Sequence, residues 1–95
     1  MRYDIKQSQE FGEWFSKVKD KSVKIKILAR LARVENGNFG DYKNISQNLF
    51  ELRFHFGSGY RIYYTIENDL VVLLLVGGDK SNQKKDVKKA LTLLE

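Results

Sequence analysis

Cysteine and proline are both absent from this 95-residue chain, and histidine and tryptophan occur once each. Without cysteine there are neither disulfides nor thiolate metal sites, which suits a reducing compartment. With a single histidine, a histidine-based metal cluster is excluded as well. Long hydrophobic runs are also missing. The longest, Leu70 to Val76 (LVVLLLV), falls far short of the ~20 residues needed to span a bilayer. The first residues, MRYDIKQSQE, lack the apolar segment of a signal peptide. The expectation is a soluble, cytoplasmic protein with no metal, no cofactor and no membrane partner. Repeats, low-complexity tracts and linkers are absent too, so residues 1–95 read as one domain.

What is present is enough for a core. A hydrophobic content of 42% with 13% aromatics supports an ordered globule rather than a disordered tail. At this size roughly two-thirds of the unfolded surface is buried on folding. Seventeen lysines and arginines against twelve acids leave a net charge of +5. That bias favours encounter with polyanions or with an acidic protein partner.

The hydrophobic period assigns the elements. RYDIKQ near the N-terminus reads as a short strand. Phe11, Trp14, Phe15 and Val18 then fall on one helical face, with Ser8 as N-cap. A second helix from about Lys21 to Asn36 turns Val23, Ile27, Leu31 and Val34 inward and spreads Lys24, Lys26, Arg30 and Arg33 over the rest. With Lys17, Lys19 and Lys21 these cations make a broad basic surface. NGNFGD stops the helix, Asn36 or Gly37 taking the left-handed C-cap.

Thereafter the period is two. Phe50, Leu52, Phe54 and Phe56 point one way and Glu51, Arg53 and His55 the other. After GSG, Tyr60, Ile62, Tyr64 and Ile66 alternate against Arg61, Tyr63 and Thr65, which makes a β-hairpin. END turns the chain into the apolar strand Leu70 to Val76, covered on both faces and inside the sheet. GGDKS ends that strand. A last helix places Val87, Ala90, Leu91 and Leu94 on one stripe and Lys84, Lys85, Lys88 and Lys89 elsewhere. The fold class is α+β: a single domain in the order β-α-α-β-β-β-α, with the helices packed on an antiparallel sheet.

Pairing Phe56 with Tyr60 across GSG sets His55 opposite Arg61 and Arg53 opposite Tyr63, with Cβ atoms ~5 Å apart. The hairpin tip then lies near Gly77 to Lys80, where the last helix begins and free N–H groups suit anions. His55, Arg61 and Lys80 thus meet at one sheet edge, with Arg53 and Tyr63 one step further in. RNA cleavage by the 2′-hydroxyl needs a proton acceptor, cations for the phosphorane charge, and a donor for the leaving oxygen. Histidine handles protons near neutral pH, and the arginine fork holds phosphate oxygens. Tyrosine stacks on a splayed base or donates a proton. No metal is required.

GNFGDYK, ELRFHFGSGYRIYYT and VVLLLVGGDKSNQKKDVKKA together resemble the RelE/ParE superfamily of bacterial toxins, closest to its phage-derived, addiction-module killer-protein branch near HigB. The resemblance runs from about Phe11 to Leu94. It implies a microbial ribonuclease-like α+β fold and the toxin half of a type II toxin–antitoxin pair. RelE-like and HigB-like members cleave mRNA on the ribosome, whereas ParE-like members poison DNA gyrase. The implied partners are a helix-turn-helix antitoxin encoded next door, the ribosome and mRNA.

Arg61 matches the hairpin arginine that such enzymes aim at the phosphate. Arg53 and His55 match their basic residues on the preceding strand, and Lys80 matches the basic segment after the last strand. The chain departs from the pattern at Val87, about where RelE-like enzymes carry a tyrosine. Tyr63, Tyr64 or His55 then takes the proton transfer, or the chain is not a nuclease; Tyr64 shares the core face, so Tyr63 is the better tyrosine. The expected assignment is a ribosome-dependent mRNA endonuclease with His55, Arg61 and Lys80 as catalytic residues and Arg53, Tyr63 and Lys84 as RNA contacts. The alternatives are a gyrase-poisoning toxin and a non-catalytic basic nucleic-acid-binding module.

Overall fold

The computed structural model describes residues 2–95. The chain runs β1 (Asp4–Gln7), α1 (Gln9–Lys17), α2 (Lys21–Glu35), β2 (Tyr42–Ser46), β3 (Leu49–Arg53), β4 (Tyr60–Glu67), β5 (Val71–Asp79), a single 3-10 turn (Lys80–Asn82) and α3 (Gln83–Leu93). The five strands form one sheet in the order β1-β5-β4-β3-β2. β1 runs parallel to β5, and the other neighbours are antiparallel.

The helices sit where the 3.6-residue period puts them. Ser8 is the extended N-cap of α1, accepting the Phe11 N–H and donating to the Leu75 carbonyl, which ties the helix start to β5. Asp20 caps α2 through the Ser22 N–H. Val23, Ile27, Leu31 and Val34 are buried, and Gly37 at φ 88° supplies the left-handed residue after the helix.

α1 and α2 cover one face of the sheet and close a core of Phe11, Ile27, Val34, Leu52, Ile62, Tyr64, Val72 and Leu74. α3 covers part of the other face with a smaller core of Leu49, Tyr63, Leu75, Val76 and Ala90. β5, between β1 and β4, contributes to both cores, as its unbroken apolar run requires.

Four features differ from the sequence expectation. β2 is an additional strand; its exposed Tyr42, Lys43 and Asn44 mark an edge, and Asn and Ser carry little strand preference. β5 runs on through Gly77 and Gly78 to Asp79 rather than ending at Val76. The two glycines are there for close approach: a Cβ on Gly77 would meet the Trp14 ring at 2.1 Å, and one on Gly78 would meet Asp86 Oδ2 at 1.9 Å. Leu91 is exposed, and Leu93 joins Leu94 against the smaller core.

The fourth is the hairpin register: Arg53 pairs with Arg61 and Glu51 with Tyr63. The loop is wider than GSG, closing with the Phe54 N–H donating to the Tyr60 carbonyl. Gly57 and Gly59, at φ 58° and 78°, curl it so that the Phe56 ring folds onto Phe54 and Tyr60. The displacement is an even number of residues, so every side chain keeps its face.

Candidate active site

Arg61 is the anchor of the site. Its neighbour across the ladder, Arg53, and its own position on β4 put the guanidinium on the α3 side of the sheet. There its side chain is only 6% exposed. Nη1 donates to the carbonyls of Phe54 (3.2 Å) and Tyr60 (3.0 Å), so the two ends of the hairpin loop orient the fork. Gly59 packs against the same group. A Cβ at Gly59 would stand 3.3 Å from Lys80 Cβ and 3.7 Å from Arg61 Nη1, so the glycine lets the loop, Lys80 and Arg61 crowd together.

The hollow this leaves, about 240 Å³, is lined by Phe54, His55, Gly57, Ser58, Gly59, Arg61 and Lys80. Three of the residues expected at the site therefore share one cavity, even though His55 is carried by the loop rather than paired with Arg61. His55 is 67% exposed, and its Nε2 pairs with Asp41 Oδ2. That hydrogen bond, with the charges of His55, Arg53 and Arg30 adding to it, holds the Asp41 carboxyl below its ordinary range. Asp41 thereby orients the imidazole and leaves Nδ1 free toward the cavity side.

Arg53 and Lys84 lie along the same surface. Together with Lys43, Ile45, Glu51, Gln83 and Val87 they line a second hollow of about 500 Å³ between β2, β3 and α3. Arg53 also borders a third, of about 320 Å³, with His55, Lys26 and Arg33. Lys80 and Lys84 flank a fourth at the start of α3. His55, Arg61, Lys80, Arg53 and Lys84 thus form one continuous basic track, a shape suited to a phosphate backbone.

Tyr63 is not on it. The ring is fully buried beneath α3, and burial, reinforced by the neighbouring Glu51 charge, pushes its hydroxyl well above the usual phenol range. It offers no face to a base and no proton near neutral pH, so the structure withdraws it from the RNA contacts. Tyr64, buried in the larger core, is likewise removed from the chemistry, again with burial raising its pKa. Arg30 also leaves the solvated basic surface. Its side chain is buried, stacks 4.8 Å from the Phe54 ring centroid and donates to the carbonyls of Phe39, Asp41 and Arg53.

Two acids that were not singled out in the sequence stand at the centre. Glu51, 2% exposed, holds its carboxylate 3.6 Å from Arg53 Nε and 3.9 Å from Arg61 Nε and accepts from Gln83 Nε2 at 3.1 Å. It compensates two site arginines and ties them to the first turn of α3. Asp86, one turn on, lies over Gly78, the ladder partner of Arg61. Burial raises its carboxyl pKa, and Oδ2 is buried without a hydrogen-bond partner. The sequence signal for Glu51 was its place among the cations on the same strand face; Asp86 had none, because it depends on how α3 docks.

A five-stranded α+β sheet with a basic track along its central hairpin and last helix defines the class: the RelE toxin fold. A double arginine-to-alanine mutant of the E. coli toxin RelE in the free state superposes with a TM-score of 0.80, covering 100% of both chains at 15% identity. The intact E. coli RelBE toxin–antitoxin complex gives 0.63 over 81% of this chain and 95% of that one, at 18% identity. HP0894 from Helicobacter pylori, a conserved hypothetical protein, gives 0.52 over 85% and 97%, at 19% identity. By sequence, residues 13–95 match the family model described as "Phage derived protein Gp49-like (DUF891)", and the chain belongs to that family. An uncharacterised protein of Haemophilus influenzae is 46% identical over 95 residues, covering 100% of this chain and 96% of its own length.

Proposed function

We propose that this chain is the toxin of a toxin–antitoxin pair and acts as a ribosome-dependent, metal-independent mRNA endonuclease. The observation that carries this reading is the convergence of Arg61, Lys80 and the Asp41-paired His55 on one cavity of a RelE fold. His55 accepts the 2′-hydroxyl proton as the 2′ oxygen attacks the adjacent phosphorus, and the bond to the 5′ oxygen breaks. Arg61, preset by two carbonyls, and Lys80 carry the charge that accumulates on the phosphorane. Arg53 and Lys84 hold the neighbouring phosphates. The family's tyrosine position is Val87, so proton handling falls to the histidine.

The proposed partners are an antitoxin, in keeping with the fold's occurrence in a complex titled RelBE toxin–antitoxin, and the ribosome with its mRNA. The test is induced expression in a bacterial host with mapping of mRNA 5′ ends. New ends at in-frame codon positions are expected, and they should fall by ~10²–10⁴ in rate for His55→Ala. Lys80→Ala should weaken them as well; both side chains are solvent-accessible, so melting temperatures should stay unchanged. Growth arrest with no new 5′ ends, or full cleavage by both variants, sinks the nuclease reading.

A further inference from the structure

α2 is amphipathic twice over. Opposite its buried face, Ile25 and Leu28 are 65% and 53% exposed. Ala29 and Ala32 are exposed at i+4 and i+7 from Ile25, so the four residues make a second apolar stripe along the outer side of the helix. Large aliphatics at helical spacing on a surface helix of so small a domain are not solvation. No other segment of the described residues covers them.

The rim of the stripe is of one sign. Lys26 and Arg33 flank one side and Lys21 and Lys24 the other; Glu35, at the helix end, is the one acid in α2. Two of these lysines are held in place: Lys26 Nζ sits 4.6 Å from the Phe56 ring centroid and Lys24 Nζ 5.2 Å from that of Phe15. A second copy of this chain would bring like charges together. A nucleic acid would use the lysines but gain nothing from Ile25 and Leu28. An acidic amphipathic helix matches both the stripe and its rim.

The stripe also leads to the site. Ala29, with Lys26, Arg30 and Arg33, lines the hollow that Arg53 and His55 border from the other side. We propose that the outer face of α2 docks an acidic amphipathic helix of the neutralising partner, whose adjoining acidic residues then occupy the basic hollow beside His55. This rests on the toxin reading above; it adds the surface and the chemistry of the inhibitor.

The experiment titrates the purified chain with the protein encoded beside its gene, comparing wild type with Ile25→Glu/Leu28→Glu by calorimetry, and runs growth assays in parallel. The expected result is a rise in Kd of about 100-fold or more, from two buried anchors lost and two like charges gained against the acidic helix. The double variant should still arrest growth but escape rescue by that protein. Its melting temperature should match wild type, and Ala32→Arg, a one-residue change on the same stripe, should weaken binding in the same direction. Unchanged affinity in the double variant, or no binding by wild type, overturns the proposal. So does loss of growth arrest in a double variant that is still folded, which would assign the face to the toxin's own target. If wild type binds but never arrests growth, the toxin reading fails while the titration still decides the docking surface.

Discussion

Arg30 shows how a cation can belong to the interior. Its guanidinium closes three backbone carbonyls, of Phe39, Asp41 and Arg53, that lie after α2, ahead of β2 and at the end of β3. Gly40, at φ 68°, leaves room for it; a Cβ there would be 2.9 Å from Arg30 Nε. Desolvation, with Arg33 nearby, lowers its pKa somewhat, but an arginine remains charged. Arg30→Leu strands those carbonyls and should cost about 3 kcal/mol in urea unfolding. Arg33→Ala, exposed on the same helix, should stay within about 0.5 kcal/mol. Equal effects for the two would refute the keystone role. Arg30 holds Asp41 and Arg53 by their backbones, so its loss should also loosen the Asp41–His55 pair.

Among the elements, α3 is the most conditional. Its N-cap, Asn82, makes no side-chain capping bond, and Ala90 is its one fully buried residue. The preceding 3-10 turn is secured instead by Asp79, which accepts from the Ser81 N–H. Asp86 works against docking. Its raised pKa means that the folded chain binds a proton there more tightly than the unfolded chain does. The stabilisation from the protonated form is therefore full below the ordinary value of 3.8 and lost as pH rises through the raised folded value. Asp86→Asn, neutral at every pH, should raise the melting temperature at neutral pH, with the advantage shrinking as pH falls toward about 4. A variant less stable than wild type at neutral pH would show that the carboxylate has a compensating partner.

For the whole molecule, two cores of unequal size share one sheet. The larger, under α1 and α2, supports the ladder; the smaller, under α3, supports the site through Glu51 and Gln83. Native-state hydrogen exchange should therefore show α3 amides opening at lower free energy than those of β4 and β5, which sit inside the sheet. Uniform protection across α3 and the central strands would mean that the domain opens as one unit. Expected behaviour follows for the site: an opening of α3 releases the Glu51–Gln83 bond without unfolding the hairpin that carries Arg61.

Local rules were sufficient for much of this architecture. The 3.6-residue spacing of Phe11, Trp14 and Phe15 and of Val23, Ile27, Leu31 and Val34 assigned both helices and their buried faces, because a helix that turns those residues any other way exposes them. Alternation did the same for β3 and β4, and the apolar run of β5 could only lie inside. That His55, Arg61 and Lys80 come to one place also followed from strand order. Tertiary packing decided the rest. The hairpin register depended on how Phe56 folds back over Phe54 and Tyr60, and β2 exists because β3 offers it an edge. The shared face of Glu51, Arg61 and Tyr63 was legible as a face, but its burial was not. Whether a strand face meets water or a helix is set by α3 docking thirty residues away, and Gly77 and Gly78 permit that docking through contacts no local pattern encodes.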